Sequence, residues 1–344
     1  MTDALRGRRV ALVGGAGFIG HNLALALAGR GAAVHVIDSL QVNNLVAIAA
    51  KMPELVNRDL YLRICQERLD LMHRAGVELH PVDAREYHML GHLFTHEIQP
   101  QVIVHLAAVA HAGKSNKDPF STFDHSLRTL ENALDHARGN AEHFIYLSSS
   151  MVYGNFRTAA VDEDHPLEPL GIYGALKLAG EKIVIAYQQV FSLPYTIIRP
   201  SALYGPRCVS RRVGQVFIEN ALNGSKLQVT GNGSEELDFT YVDDLVDGVL
   251  LAIEKTEARN QIFNMTFGRS RKVAEMLEIV LKHFPDAKVD RVERDALMPV
   301  RGTLKIDRAA RLLGYSPRFP LEVGFPRYID WYRSLTGGEP PRVR

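Results

Sequence analysis

The chain has 344 residues, with 40 Lys and Arg against 39 Asp and Glu, a formal charge of +1 at neutral pH. At roughly 150 residues per domain this length predicts two domains or one large one, and the charge balance excludes a basic nucleic-acid-wrapping protein and an acidic solvating tail. The composition, 46% hydrophobic and 23% charged, is that of an ordinary globular protein, and two cysteines, Cys65 and Cys208, outside any metal-ligand spacing, exclude a disulfide framework and predict a reducing, cytoplasmic setting.

Arg6, Arg8 and Arg9 precede an apolar run, as in an export signal, but the run passes into Gly14, Gly15, Gly17 and Gly20 with no tidy cleavage site. It reads as a strand over 10–13 followed by a turn, then a helix over 22–30 and a second strand over 34–37 ending at Asp38. Further apolar strands are predicted over 77–82, 102–106, 144–148 and 195–199, with helices over 121–138 and 173–191 between them. Residues 39–76 exceed what one crossover needs, and an amphipathic helix over 60–74 reads as a surface insertion or a subunit contact. No stretch approaches the roughly 18 uncharged apolar residues of a membrane span, so a soluble protein without a membrane partner is expected.

Past residue 200 the elements shorten and Arg207, Arg211, Arg212, Arg269, Arg271 and Arg301 are scattered among them, which predicts a second lobe. Residues 299–320 read as irregular apart from a helix over 307–313 that Gly314 ends, and the tail 337–344 as frayed. The fold class that follows is α/β, a doubly wound parallel sheet of the Rossmann type with a smaller α/β lobe. Residues 1–199 plus 238–262 are assigned to the dinucleotide-binding domain and 200–237 plus 263–344 to the substrate lobe.

The glycines at 14, 15, 17 and 20 lie between a buried strand and a helix, where they permit a tight turn and a close approach to a pyrophosphate. The helix N-terminus adds free N–H groups and a positive dipole end. Asp38, closing the second strand, would accept both hydroxyls of an adenosine ribose and repel a 2′-phosphate, which favours NAD over NADP. Downstream, Ser148, Ser149 and Ser150 follow a strand at the carboxyl end where such sheets bind ligands. Tyr173 and Lys177 stand one helical turn apart on one face. A phenol beside an ammonium is a base suited to a sugar hydroxyl.

In this order and spacing the motifs resemble the extended short-chain dehydrogenase/reductases, specifically the NAD-dependent nucleotide-sugar epimerase/dehydratase family. They are GGAGFIG at 14–20, Asp38, Val82-Asp83, HLAA at 105–108, SSSMVYG at 148–154, YGALK at 173–177, RPSALYGPR at 199–207, DFTYVDDLVDG at 238–248 and LGYSP at 313–317. The resemblance implies Tyr173 as catalytic base, Lys177 as the ligand of the nicotinamide ribose that tunes it, and Ser149 as the hydroxyl that bonds the reacting oxygen. It implies cofactor contacts from Gly14, Gly17, Phe18, Ile19 and Gly20, from Asp83 and Ala84 at the adenine, from Leu106, Ala107 and Ala108 beneath the cofactor, and from Pro200.

The reaction is narrowed by what is missing. Family dehydratases carry an Asp-Glu pair where this chain has Ser150 and Met151, and decarboxylases a Glu at Met151; a methionine moves no proton. The cycle left is 4-epimerisation of a nucleotide sugar, a UDP-hexose or UDP-hexuronic acid, through a transient 4-keto sugar. A 4-oxidoreductase or dehydratase-type enzyme of the same family is the alternative. Ala202 replaces a common Asn and Leu237 a common Arg, so the phosphate grip is expected from Arg207, Arg211, Arg212 or Arg301. His111, Ser150 and Met151 are further substrate contacts, no metal site is expected, and the family's pairing through helices 121–138 and 173–191 implies a homodimer.

Overall fold

In the computed structural model the described residues are 4–50, 55–109, 112–293 and 298–335. Seven parallel strands form the main sheet: β1 Arg9–Val13, β2 Ala33–Ile37, β3 Glu78–His80, β4 Val102–His105, β5 His143–Leu147, β6 Tyr195–Arg199 and β7 Gln261–Asn264. Their spatial order is β7-β6-β5-β4-β1-β2-β3, with every neighbouring pair parallel. The order reverses between β1 and β4, and a doubly wound sheet opens a ligand crevice at such a point. Strands β1, β4, β5 and β6 are almost wholly buried, which is why they read as unbroken apolar runs.

Each face of the sheet carries a core. Val10, Leu12, Val36, Val104 and Ile145 pack on one side with Leu23 and Leu27 of helix α1, Phe18–Ala28. On the other side Ala11, Val13, Ile103 and Phe144 pack with Leu130 and Leu134 of the Thr129–Ala137 helix. A third core, with Phe217, Ile218, Val229, Phe239, Met276, Phe325 and Tyr328, belongs to the chain beyond the sheet. Ala309, Leu313 and Tyr315 join the first core, held by a short helix, Asp307–Leu313, that ends at Gly314 in the left-handed conformation.

Four expectations shift. The first helix begins at Phe18 rather than at 22, directly after Gly17, so its free N–H groups open onto the glycine turn. The strand expected over 77–82 is reduced to Glu78–His80, and 299–320 contains the two-residue strand Thr303–Leu304 besides its helix. The largest correction concerns 39–76. Helix α2, Arg58–Arg74, is no loose surface insertion: Tyr61, Ile64, Cys65, Arg68 and Met72 are buried, and Tyr61 and Ile64 pack with Val209 and Leu335 from the far end of the chain. The expectation for 337–344 falls outside the described residues.

Candidate active site

The glycine turn and the β4 loop touch backbone to backbone. Leu106 and Ala107 both donate their N–H to the carbonyl of Val13, at 2.8 and 3.0 Å. Gly14 has φ +79°, and a Cβ there would lie 2.6 Å from the nitrogen of Ala107. One at Gly20 would lie 2.3 Å from the carbonyl oxygen of Gly15. No larger residue fits either place, so the glycines set how closely strand, turn and helix pack.

A cavity of about 540 Å³ opens along this switch point. One end is formed by Gly14, Gly17, Phe18, Ile19 and Gly20 with Asp38, Asp83 and Ala84. Asp38 accepts N–H bonds from Ala16 at 3.0 Å and Leu40 at 2.7 Å. Burial pushes its carboxyl up, while those donors and Arg68 oppose the shift. Asp83 is also raised by burial, but the bonds from Arg85 outweigh that and hold it below its ordinary value. Arg85 in turn bridges to Asp124 at 2.6 Å. Leu106, Ala107, Ala108 and Pro200 also line the cavity.

At the other end Ser149, Tyr173 and Lys177 converge. Ser149 caps the short turn Ser150–Tyr153 by accepting the N–H of Met151 at 3.2 Å, and it lines the cavity together with Tyr173 and Lys177. Tyr173 and Lys177 share one face of the helix Gly171–Phe191. Lys177 is buried, donates from Nζ to the carbonyl of Leu147 at 2.6 Å and lies 4.9 Å from the ring of Tyr146. Burial lowers its pKa to about 8 against the pull of Glu181. Burial raises Tyr173, and the groups that draw it back are Arg212 and Ser149. The ammonium expected to tune the phenol is therefore turned to a carbonyl in this structure, and Arg212 supplies the nearby positive charge.

A buried polar layer fixes this end from below. Glu181, one turn beyond Lys177, accepts from Ser148 and pairs with Arg199 through two bonds of 2.9 and 2.7 Å. Arg199 also reaches the Tyr153 hydroxyl, which donates to Asn264. Both charges are almost fully buried and each has several partners, the condition under which such a pair is tolerated.

Among the remaining expected residues, Ser150, Met151 and Arg301 line the cavity. Arg301 lies 4.0 Å from the Met151 sulfur and 3.4 Å from Glu235. Arg211 and Arg212 line it as well. Arg207 does not. It is left-handed, with φ +64°, and its guanidinium turns toward α1, donating to His21 Nε2 at 2.9 Å and Asn22 Oδ1 at 3.2 Å. Arginine must donate, so His21 accepts at Nε2 and gives its Nδ1–H to the carbonyl of Gly17, 2.9 Å away. Burial, then Arg68 and Arg207, keep that imidazole neutral. His111 lies outside the described residues.

Arg68 is a buried, charged lining residue that sequence reasoning missed. It is 1% exposed and donates from two nitrogens to the carbonyl of Arg207. Its signal was present: an arginine in the buried stripe of α2, in step with Tyr61, Ile64, Cys65 and Met72.

Residues 10–266 match the NAD dependent epimerase/dehydratase family. The chain belongs to it. This enzyme of the NAD-dependent family is 26% identical to UDP-glucuronate 4-epimerase 4 of Arabidopsis thaliana, over 98% of the chain and 78% of that protein. It superposes on the Thermus thermophilus UDP-glucose 4-epimerase in complex with NAD with a TM-score of 0.79 and 25% identity, covering 94% of this chain and 99% of that one. The fold is also that of the Bacillus cereus UDP-glucuronic acid 4-epimerase, with a TM-score of 0.84 at 24% identity over 95% and 99% of the two chains. The cavity fits a dinucleotide on its own terms, because the cradle at Gly14 and Gly20 excludes any side chain and the Asp38 carboxylate lines the cavity beside the glycine turn.

Proposed function

We propose that the protein is an NAD-dependent 4-epimerase of a nucleotide sugar, a UDP-hexose or UDP-hexuronic acid. The observation that carries this reading is the meeting of Ser149, Tyr173 and Lys177 at the cofactor cavity, with Met151 where elimination or decarboxylation needs an acid. Curated relatives that act on UDP-glucuronate support the substrate class.

The adenosine end is assigned to Asp38, Asp83 and Ala84, the pyrophosphate to the N-terminus of α1, and the nicotinamide ribose to Lys177. Held by these residues, NAD would supply the hydride-accepting and hydride-returning centre for the sugar C4. Tyr173 takes the proton of the 4-hydroxyl and later restores it, and Ser149 holds the same oxygen by its hydroxyl. No further acid is needed if the 4-keto sugar turns over before it is reduced on its other face. The diphosphate is assigned to Arg211, Arg212 and Arg301, whose forked donors suit phosphate oxygens. Arg207 is no longer among them, because its donors are spent on α1.

Incubation with UDP-glucose and UDP-glucuronate, followed by separation of the epimers, tests this. Epimers at equilibrium without accumulated reduced nicotinamide are expected, and stoichiometric NADH would instead mark an oxidoreductase. Among the described residues no helix is long and apolar enough to cross a membrane. A cytoplasmic homodimer completes the proposal, its contact made by the 119–137 and 171–191 helical segments.

A further inference from the structure

At the edge of the main sheet, β2 and β3 pair with His35 opposite Glu78 and Ile37 opposite His80. Side chains alternate along a strand, so His35, Glu78 and His80 stand on one face. Their donor atoms converge. His35 Nδ1 is 3.2 Å from His80 Nε2 and 3.2 Å from Glu78 Oε2, and His80 Nε2 is 3.8 Å from Glu78 Oε1. An ion bound at about 2.0–2.2 Å with tetrahedral angles separates its ligands by roughly 3.3 Å. One ion therefore reaches all three groups with shifts of a few tenths of an ångström.

The donor set selects the ion. Two imidazoles and one carboxylate suit zinc and its neighbours, whereas magnesium and calcium take oxygen ligands. His80 is buried and His35 half-buried, while Glu78 is exposed and leaves a fourth position to solvent. The proton between the two rings moves to the far nitrogen of its own imidazole when the ion enters.

We propose that His35, Glu78 and His80 form a binding site for a divalent transition metal of the zinc class, which staples the edge strand β3 to β2. That strand is only three residues long. The carbonyl of His80 accepts N–H bonds from Asp38 at 3.2 Å and from Val82 at 2.8 Å. The staple thus lies directly behind Asp38 and the 82–84 loop, both of which line the adenosine end of the cavity. The metal has no part in the hydride chemistry, so the site stands or falls apart from the epimerase reading.

The test uses untagged full-length protein, stripped with a chelator and titrated calorimetrically with zinc chloride, with magnesium chloride in parallel. Saturable one-to-one zinc binding in the micromolar range or tighter is expected, with a rise in Tm of about 3–5 °C at a hundredfold excess over Kd. Cobalt(II) substitution should give the visible absorption of a tetrahedral site. His80→Gln should abolish binding, and Glu78→Gln, an exposed position that leaves the core intact, should weaken it at least tenfold. Zinc binding that does not saturate, an equal response to magnesium, or a Glu78→Gln protein of unchanged affinity and Tm shift would overturn the proposal.

Discussion

Tyr173 and Lys177 are one turn apart, yet burial acts on them in opposite senses, raising the phenol and lowering the ammonium to about 8. Tyr173→Phe removes the proposed proton acceptor without touching the glycine cradle. Its kcat should fall by roughly 10²–10⁴-fold while NAD content after purification stays at the wild-type level. A variant that keeps its turnover would show that the proton leaves by another route. Lys177 is better read through stability. An unfolded lysine titrates near about 10.4, so between pH 8 and 10 the unfolded chain binds a proton that the native one has released. Stability from this group therefore rises with pH across that window and is flat below it. The Tm of wild type minus that of Lys177→Met should grow more positive from pH 8 to 10, and a constant difference would mean Lys177 titrates as if exposed.

Helix α2 gains its meaning from what it ties together. Arg68 binds the carbonyl of Arg207, and Arg207 in turn grips His21 and Asn22 of α1. Tyr61 donates to Glu219 at 2.6 Å and meets Arg211 at 3.3 Å. One helix thus joins the N-terminal end of α1 to the loop that carries Arg211 and Arg212 into the cavity. Arg68→Met should cost about 2–3 kcal/mol, two charge-assisted bonds to a buried carbonyl, and raise KM for the nucleotide sugar more than it lowers kcat. Equal losses in both would point to damage at the chemical centre instead. Six of the seven parallel strands were legible in the sequence because burial leaves an apolar run with no competing pattern; β7, Gln261–Asn264, was missed, being short and only half buried. The glycine cradle and Asp38 were legible from their place between a buried strand and a helix, whereas the grouping of Ser149, Tyr173 and Lys177 at one cavity was legible only through the order of motifs that carries the family resemblance. Arg207 was misread for the opposite reason: its direction depends on a left-handed backbone that no local pattern announces. The role of 39–76 was hidden because its partners, Arg207, Val209, Glu219 and Leu335, lie more than a hundred residues away.

At the scale of the whole molecule the helical layer on one sheet face is left unfinished. The helical run from Pro119 to Ala137 packs beside the long helix Gly171–Phe191 over the second core. That same layer exposes Phe120 at 80%, Val190 at 70%, and also Phe123 and Phe191. Single exposed apolar residues need no explanation, but several large ones on neighbouring helices mark a surface that a partner covers. A second copy of the chain is the partner proposed, since a two-fold axis lets one patch cover itself. Light scattering at micromolar concentration should then give twice the chain mass of 38.3 kDa. Phe120→Asp combined with Val190→Glu places like charges across that axis and should shift the protein to monomer. Neither residue lines the cavity, so dinucleotide binding should survive in the monomer. A wild-type protein that is monomeric at that concentration, or a double variant that stays dimeric, would move the contact elsewhere and leave these four side chains facing water.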